Sequence, residues 1–164
     1  MVLNTTDVND FSRFGSAFTR INRSAQTWFA SRLKPYRIGP AQQAYLLVIG
    51  EGEELSQEEI ARRHGVDKAN AARAVSTLEQ LGYVSRRRDP DDRRNWIVAL
   101  TPRGGEVRTA VEEAMREWVV ALREAVPAGT WKTMINGLET MARTAERAAG
   151  RPPFEPHDEA TPRG

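Results

Sequence analysis

Residues 55–104 constrain this chain more than any other stretch, because helix starts, a helix stop and a charged hairpin follow one another with almost no spare residues. The first half reads LSQEEIARRHGVDKANAARAVSTLEQLGYV. Ser56, followed three residues later by Glu59, is a capping-box pattern, so a helix begins there. Ile60 and Ala61 supply its apolar side and Gly65 stops it. Asp67 is a good N-cap for a second helix, whose Ala71, Ala74, Val75, Leu78 and Gly82 fall on one stripe at helical spacing. At 100° per residue the opposite face carries Ala69, Arg73, Ser76 and Gln80, flanked by Asn70 and Thr77. That face is small, polar and basic, which suits a helix entering a major groove.

The second half, SRRRDPDDRRNWIVALTPRG, is an arginine-loaded hairpin. Val84–Arg88 and Trp96–Leu100 have strand composition, with Trp96, Val98 and Leu100 on one face and Ile97 and Ala99 on the other. The tip, 89–95, contains Pro90 and is almost wholly charged, so it stands in solvent or against a polyanion. A helix–turn–helix followed by a basic hairpin predicts a winged helix: mainly α, with a small β-hairpin wing.

This segment resembles the MarR family of bacterial transcription regulators. Asp67-Lys68-Ala69-Asn70, then Leu78-Glu79 and Gly82-Tyr83-Val84, look like that family's recognition helix and its exit. Asp89-Pro90-Asp91-Asp92-Arg93-Arg94, followed by Val98-Ala99-Leu100-Thr101-Pro102-Arg103-Gly104, looks like its wing signature in the same register. The resemblance implies a winged helix-turn-helix domain flanked by N- and C-terminal dimerisation helices. It implies a sequence-specific regulator of double-stranded DNA: a homodimeric repressor on a pseudo-palindromic operator, released by a small effector. The expected regions are an N-terminal dimerisation helix (1–34), the winged helix-turn-helix (35–104), C-terminal dimerisation helices (105–149) and a disordered tail (150–164), together one MarR-type domain.

Charge is distributed as a sequence reader needs. The whole chain carries only +2. Across 56–103, ten Lys and Arg face seven acids, and five arginines crowd into 86–94. This is a local patch on an otherwise balanced protein. With no cysteine, disulfides, thiolate metal sites and thiol redox sensing are excluded. The two histidines, His64 and His157, offer neither a zinc site nor a nucleophile–base pair, so no cofactor and no enzyme activity are expected. No apolar run is long enough for a membrane span and no signal pattern opens the chain, so a cytoplasmic, nucleoid-bound protein is expected, without a membrane partner.

Elsewhere the pattern is helical. A long helix is expected from the polar segment 5–10 to about residue 34, stopped by Pro35. Its Phe11, Phe14, Phe18, Ile21, Ala25 and Trp28 form a seam that reads as a core stripe, part of which also meets a second subunit. A short helix spans 41–49. Thr101-Pro102 starts another, with Val107, Val111, Met115, Trp118, Leu122 and Val126 as its stripe. A last helix carries Trp131, Met134, Leu138, Met141 and Ala145. These outer helices hold more apolar stripe than one small winged module covers, which predicts a dimer built from both chain ends.

The candidate DNA contacts follow from the polar face and from the resemblance. Arg73 sits at the centre of that face and on the family's base-reading position, which implies a bidentate contact with guanine; the plain alternative is a solvated helix arginine. Lys68, Asn70, Ser76 and Thr77 are candidate contacts, some to phosphate. Ala69 and Ala72 are either helix formers or let the helix approach a thymine methyl. Arg93 matches the arginine that the family's wing places in the minor groove, and Arg94 reaches either phosphate or solvent. Ser56, Gln57 and Arg86 complete the set. Asp91 and Asp92 are read as bracing the arginines, and His64 as packing within the turn. For a small aromatic or lipophilic effector the candidate lining is Asn22, Gln26 and Tyr45, polar residues on otherwise apolar helices; Trp28, Trp118 and Trp131 are read as core, with one of them lining a pocket as the alternative. The competing functions are a non-sequence-specific architectural DNA-binding protein and an inert interaction module.

Overall fold

The computed structural model describes residues 5–150, the side chains of 5–7, 40 and 41 excepted. The elements run α1 (Thr5–Arg32), a 3-10 turn (Lys34–Tyr36), α2 (Pro40–Val48), β1 (Glu54–Ser56), α3 (Gln57–His64), α4 (Lys68–Gln80), β2 (Val84–Arg88), β3 (Trp96–Leu100), α5 (Pro102–Glu124) and α6 (Thr130–Ala148). The architecture is mostly helical with one small antiparallel sheet, as expected of a winged helix. The expected tail, from residue 151 onward, lies outside the described residues.

Helix starts are set locally. Ser56 Oγ accepts the Glu59 amide at 3.0 Å and Asp67 Oδ1 accepts the Asn70 amide at 2.9 Å. Only half of the capping box forms, because the Glu59 carboxylate turns to Arg62 and Arg63 instead. Gly65 closes α3 at φ 70°, a left-handed conformation that glycine adopts without a Cβ penalty. Thr101 caps α5 through the Gly104 amide at 3.0 Å, and its hydroxyl donates to the Gly82 carbonyl at 2.7 Å.

The wing has three strands where two were expected. β1 pairs with β3 in the register Glu54↔Ala99, Leu55↔Val98, Ser56↔Ile97, giving the order β1-β3-β2. A three-residue strand has too little alternation to announce itself, and its pairing partner lies more than forty residues away.

The core gathers where the end of α1, α2, α3, α4 and the first half of α5 meet the sheet. Leu33, Leu46, Ile49, Ile60, Val75, Leu78, Val98 and Val111 are fully enclosed. Tyr83, also enclosed, donates its hydroxyl to the Tyr36 carbonyl at 2.7 Å, tying the exit of α4 to the turn after α1.

The seam of α1 is not a core stripe within one chain. Phe11 is 76% exposed and Phe18 59%, with Phe14 and Ile21 also open; only Ala25 and Trp28 are half-buried, and full burial begins at Phe29. The reason is length. A 28-residue helix extends about 42 Å, well beyond the module that packs on its last turns. The stripe of α5 divides in the same way, with Val107 and Val111 buried and Met115 exposed. In α6 no residue is buried, and Met134, Leu138 and Met141 line an open apolar face.

Candidate nucleic-acid interface

Helix α4 turns Ala71, Val75 and Leu78 into the core and leaves Lys68, Ala69, Asn70, Arg73 and Gln80 exposed; Ala72, Ser76 and Thr77 are half-buried at the margins. The polar face of the sequence is therefore the outer face of the fold. Arg73 donates to Asn70 Oδ1, and Asn70 in turn donates to the capping carboxylate of Asp67. The Asn70 amide, ahead of its neighbours, holds the Asp67 carboxyl below its ordinary range. Thr77 donates to the Arg73 carbonyl at 3.1 Å.

Acids divide the basic residues into two groups. Arg63 bonds Glu53 and Glu59, Arg62 bonds Glu59, and these two guanidiniums hold the Glu59 carboxyl down at about 2. Lys68 meets Glu58 at 2.7 Å, an exposed pair, and Arg87 grips both carboxylate oxygens of Glu54 across the sheet. Arg86 is drawn inward: its Nε lies 2.6 Å from Glu79 Oε2, its guanidinium lies over the Trp96 ring, and its side chain is only 21% exposed. Among the described residues, by contrast, Arg73, Arg93 and Arg94 form no ion pair. Arg93 and Arg94 stand exposed at the wing tip. Arg88 and Arg103 also form no ion pair among the described residues but lie over the Trp96 and Tyr83 rings. The basic side chains of 56–103 held by neither a carboxylate nor a ring are thus those on the outer face of α4 and the end of the wing.

Asp89 and Asp92 brace the tip loop itself rather than guanidinium, and the Asp91 carboxylate, expected to brace an arginine, forms no ion pair among the described residues. Asp89 Oδ1 accepts the Asp91 amide at 2.9 Å, and Asp92 accepts the Arg94 amide at 3.0 Å and the Asn95 side-chain amide at 3.1 Å. Ser56 spends its hydroxyl on the cap, and Gln57 Nε2 is buried without a hydrogen-bond partner among the described residues.

The three candidate effector residues are not brought together. Tyr45 is buried, its ring 4.3 Å from that of His64, so the histidine that ends α3, expected to pack within the turn, packs against α2 instead. Burial pushes the Tyr45 hydroxyl up. It lines a cavity of about 390 Å³ with His64, Asn70, Arg73 and Thr77 beside α4. Asn22 and Gln26 are exposed on α1, before the turn where the core begins, and line none of the cavities described. Trp28 and Trp118 do meet, 5.7 Å apart, at a cavity of about 500 Å³ between α1 and α5 that Arg23, Ser24, Thr27 and Ser31 complete. Sequence reasoning had no role for Glu79, Arg88 or Trp96 at this surface. The period-2 spacing of Arg86 and Arg88 opposite Trp96 was the available signal.

Among the described residues no helix is long and apolar enough to cross a membrane. Residues 38–95 match the MarR family model. The HTH-type transcriptional regulator BilQ of Clostridioides difficile (strain CD3) is 27% identical over 109 residues, 66% of this chain and 74% of that protein. A MarR transcriptional regulator from Methanosarcina mazei Go1 superposes with a TM-score of 0.71 at 28% identity, covering 84% of this chain and 99% of that one. A MarR mutant from E. coli, solved in complex with operator DNA, shares the fold with a TM-score of 0.70 at 22% identity, covering 81% of this chain and 96% of that one.

Proposed function

Because the chain belongs to the MarR family of DNA-binding transcriptional regulators, we propose that it is a homodimeric, ligand-responsive repressor reading a pseudo-palindromic operator. One observation carries this reading: of the basic residues of 56–103, Arg62, Arg63, Lys68, Arg86 and Arg87 pair with acids and Arg88 and Arg103 lie over aromatic rings, while Arg73, Arg93 and Arg94, on α4 and the wing tip, have neither partner among the described residues. In this reading Arg73 meets a guanine edge in the major groove, Arg93 enters the flanking minor groove, and Lys68, Asn70, Ser76, Thr77 and Arg94 position the phosphates.

The test compares a duplex selected by the protein from a randomised pool with random duplex. Arg73→Ala is expected to cost roughly 1–3 kcal/mol on the selected duplex and to relax preference at one base pair per half-site. Arg93→Ala is expected to act mainly where the flank has a narrow, A·T-rich minor groove. Equal losses on both duplexes for Arg73→Ala would instead favour an architectural protein without sequence preference.

The apolar faces of α1 and α6 support the dimer: Phe11, Phe14, Phe18, Met134, Leu138 and Met141 are too many exposed large side chains for a finished surface. Two recognition helices on one face of a duplex then require half-sites about 10 bp apart, or a multiple of that. Phe18→Glu with Leu138→Glu is expected to shift sedimentation from dimer to monomer while the helical circular dichroism persists. A double variant that still sediments as a dimer would remove these faces from the interface.

For the effector, the cavity between α1 and α5 supports an aromatic or lipophilic ligand, since Trp28 and Trp118 offer stacking surfaces and Arg23 a cation. Asn22 and Gln26 stand on the neighbouring turns of α1, whereas Tyr45 belongs to the cavity beside α4. Such a ligand weakens DNA binding only by its preference for a dimer shape that no longer fits the groove spacing, and bound DNA weakens the ligand by the same factor.

A further inference from the structure

The recognition helix and the wing tip of this protein are joined by side chains. Glu79, on the last turn of α4, bonds Arg86 on β2 at 2.6 Å. The Arg86 guanidinium carbon lies 4.9 Å from the centre of the Trp96 ring, and that of Arg88 lies 4.0 Å from it. Arg88 then donates from Nη1 to the main-chain carbonyl of Arg93 at 3.0 Å. The path runs from α4 to the residue at the end of the wing without a gap.

Strand geometry makes the path. Side chains two residues apart share a face, so Arg86 and Arg88 both stand on the side of β2 that holds Trp96, while Arg87 between them points the other way, to Glu54. Arg88 is the direct cross-strand partner of Trp96. Guanidinium is planar and weakly hydrated, so it stacks on indole and still has edge N–H groups to donate. Two cations on one ring repel; Glu79 compensates the first, which leaves the second free to hold the tip.

We propose that Trp96 and Arg88 are positioning residues for DNA recognition: with Glu79 and Arg86 they form a brace that fixes the main chain at Arg93 relative to the recognition helix, and so sets the offset between the major-groove and minor-groove contacts. The proposal rests on the reading of Arg93 as the wing contact. Its benefit is entropic. A tip already held in place loses less freedom when it enters a groove.

The first measurement needs no DNA. In the free full-length protein, amide exchange at Asp89, Arg94 and Asn95, all hydrogen-bonded in the closed tip, is expected to quicken about five- to thirtyfold in Arg88→Gln and Trp96→Leu. Exchange within α4 and the thermal midpoint are the controls for a general loss of stability. Trp96→Phe, which keeps a ring, is expected to restore much of the protection. Arg88→Lys, which keeps the charge but not the planar fork, is expected to fail as Arg88→Gln does. Tip exchange unchanged in Arg88→Gln and Trp96→Leu would overturn the brace.

The second measurement uses the duplex selected from a randomised pool. Arg93→Ala is expected to cost much less in the Arg88→Gln background than in the wild type, because an unheld tip has already lost that contact. Additive losses, or full activity of Arg88→Lys, would show Arg88 acting on phosphate by itself and would overturn the proposal. Wild-type affinity of the single Arg93→Ala variant would sink the wing reading instead, and tip exchange would still decide whether the brace exists.

Discussion

Gly104→Ala is expected to destabilise the protein by about 3 kcal/mol and to lower its thermal midpoint by roughly 10 °C. A Cβ at this position would stand 1.9 Å from the Tyr83 carbonyl oxygen and 2.8 Å from the carbonyl carbon. The obstacle is backbone, and it has nowhere to go: that carbonyl accepts the Thr101 amide at 3.0 Å, and Thr101 accepts the Gly104 amide while donating to Gly82. Moving α5 away from Tyr83 would break the two bonds from Thr101 to the Tyr83 and Gly82 carbonyls and loosen an enclosed tyrosine that also anchors the turn after α1. Gly105→Ala is the control. It meets open space in the same helix turn and should gain about 1 kcal/mol from helix propensity. A Gly104→Ala protein that melts with the wild type would show that the contact between α5 and the α4 exit can relax freely.

The same glycine marks where sequence reading stops. The run Thr101-Pro102-Arg103-Gly104 was legible as a helix start because a cap and a proline act through their own neighbours. Nothing in the run says that Tyr83 will press against Gly104, since that contact is made only when β2 and β3 pair. The caps at Ser56 and Asp67 and both wing strands were legible for the same local reason.

What the sequence left open depended on distant partners. Phe11 and Phe18 read as core because periodicity reports an apolar face and not what covers it. Arg86 read as one more arginine in a basic run, yet Glu79, seven residues earlier, takes it inward. Asn22, Gln26 and Tyr45 are alike as polar residues on apolar helices, but the core ends between them. The uncompensated charge on α4 and the wing tip depends on which arginines the acids of α3, α4 and β1 take up, and those pairings form only in the folded chain.

That division of charge fixes the second large expectation, the response of duplex binding to salt. A dimer that used all ten basic residues of 56–103 in each copy would release about twenty counterions, a log–log slope near −18. The structure argues for far fewer. Arg62, Arg63, Arg86 and Arg87 already face carboxylates through close or paired hydrogen bonds, and opening these would expose the acids to phosphate. Arg73, Arg93 and Arg94 have no ion pair among the described residues, and the exposed Lys68–Glu58 pair opens at little cost. With Arg88 and Arg103 held over the Trp96 and Tyr83 rings, these four groups per copy give a slope near −7, so affinity should fall roughly 10⁴-fold between 50 and 200 mM salt. Titrating the selected duplex against salt measures the slope directly. A slope near −18 would mean that the internal pairs open on DNA, and one near zero would refute the basic surface altogether. Glu79→Gln adds a sharper check: with Arg86 released toward the duplex, the slope should steepen by about two for the dimer.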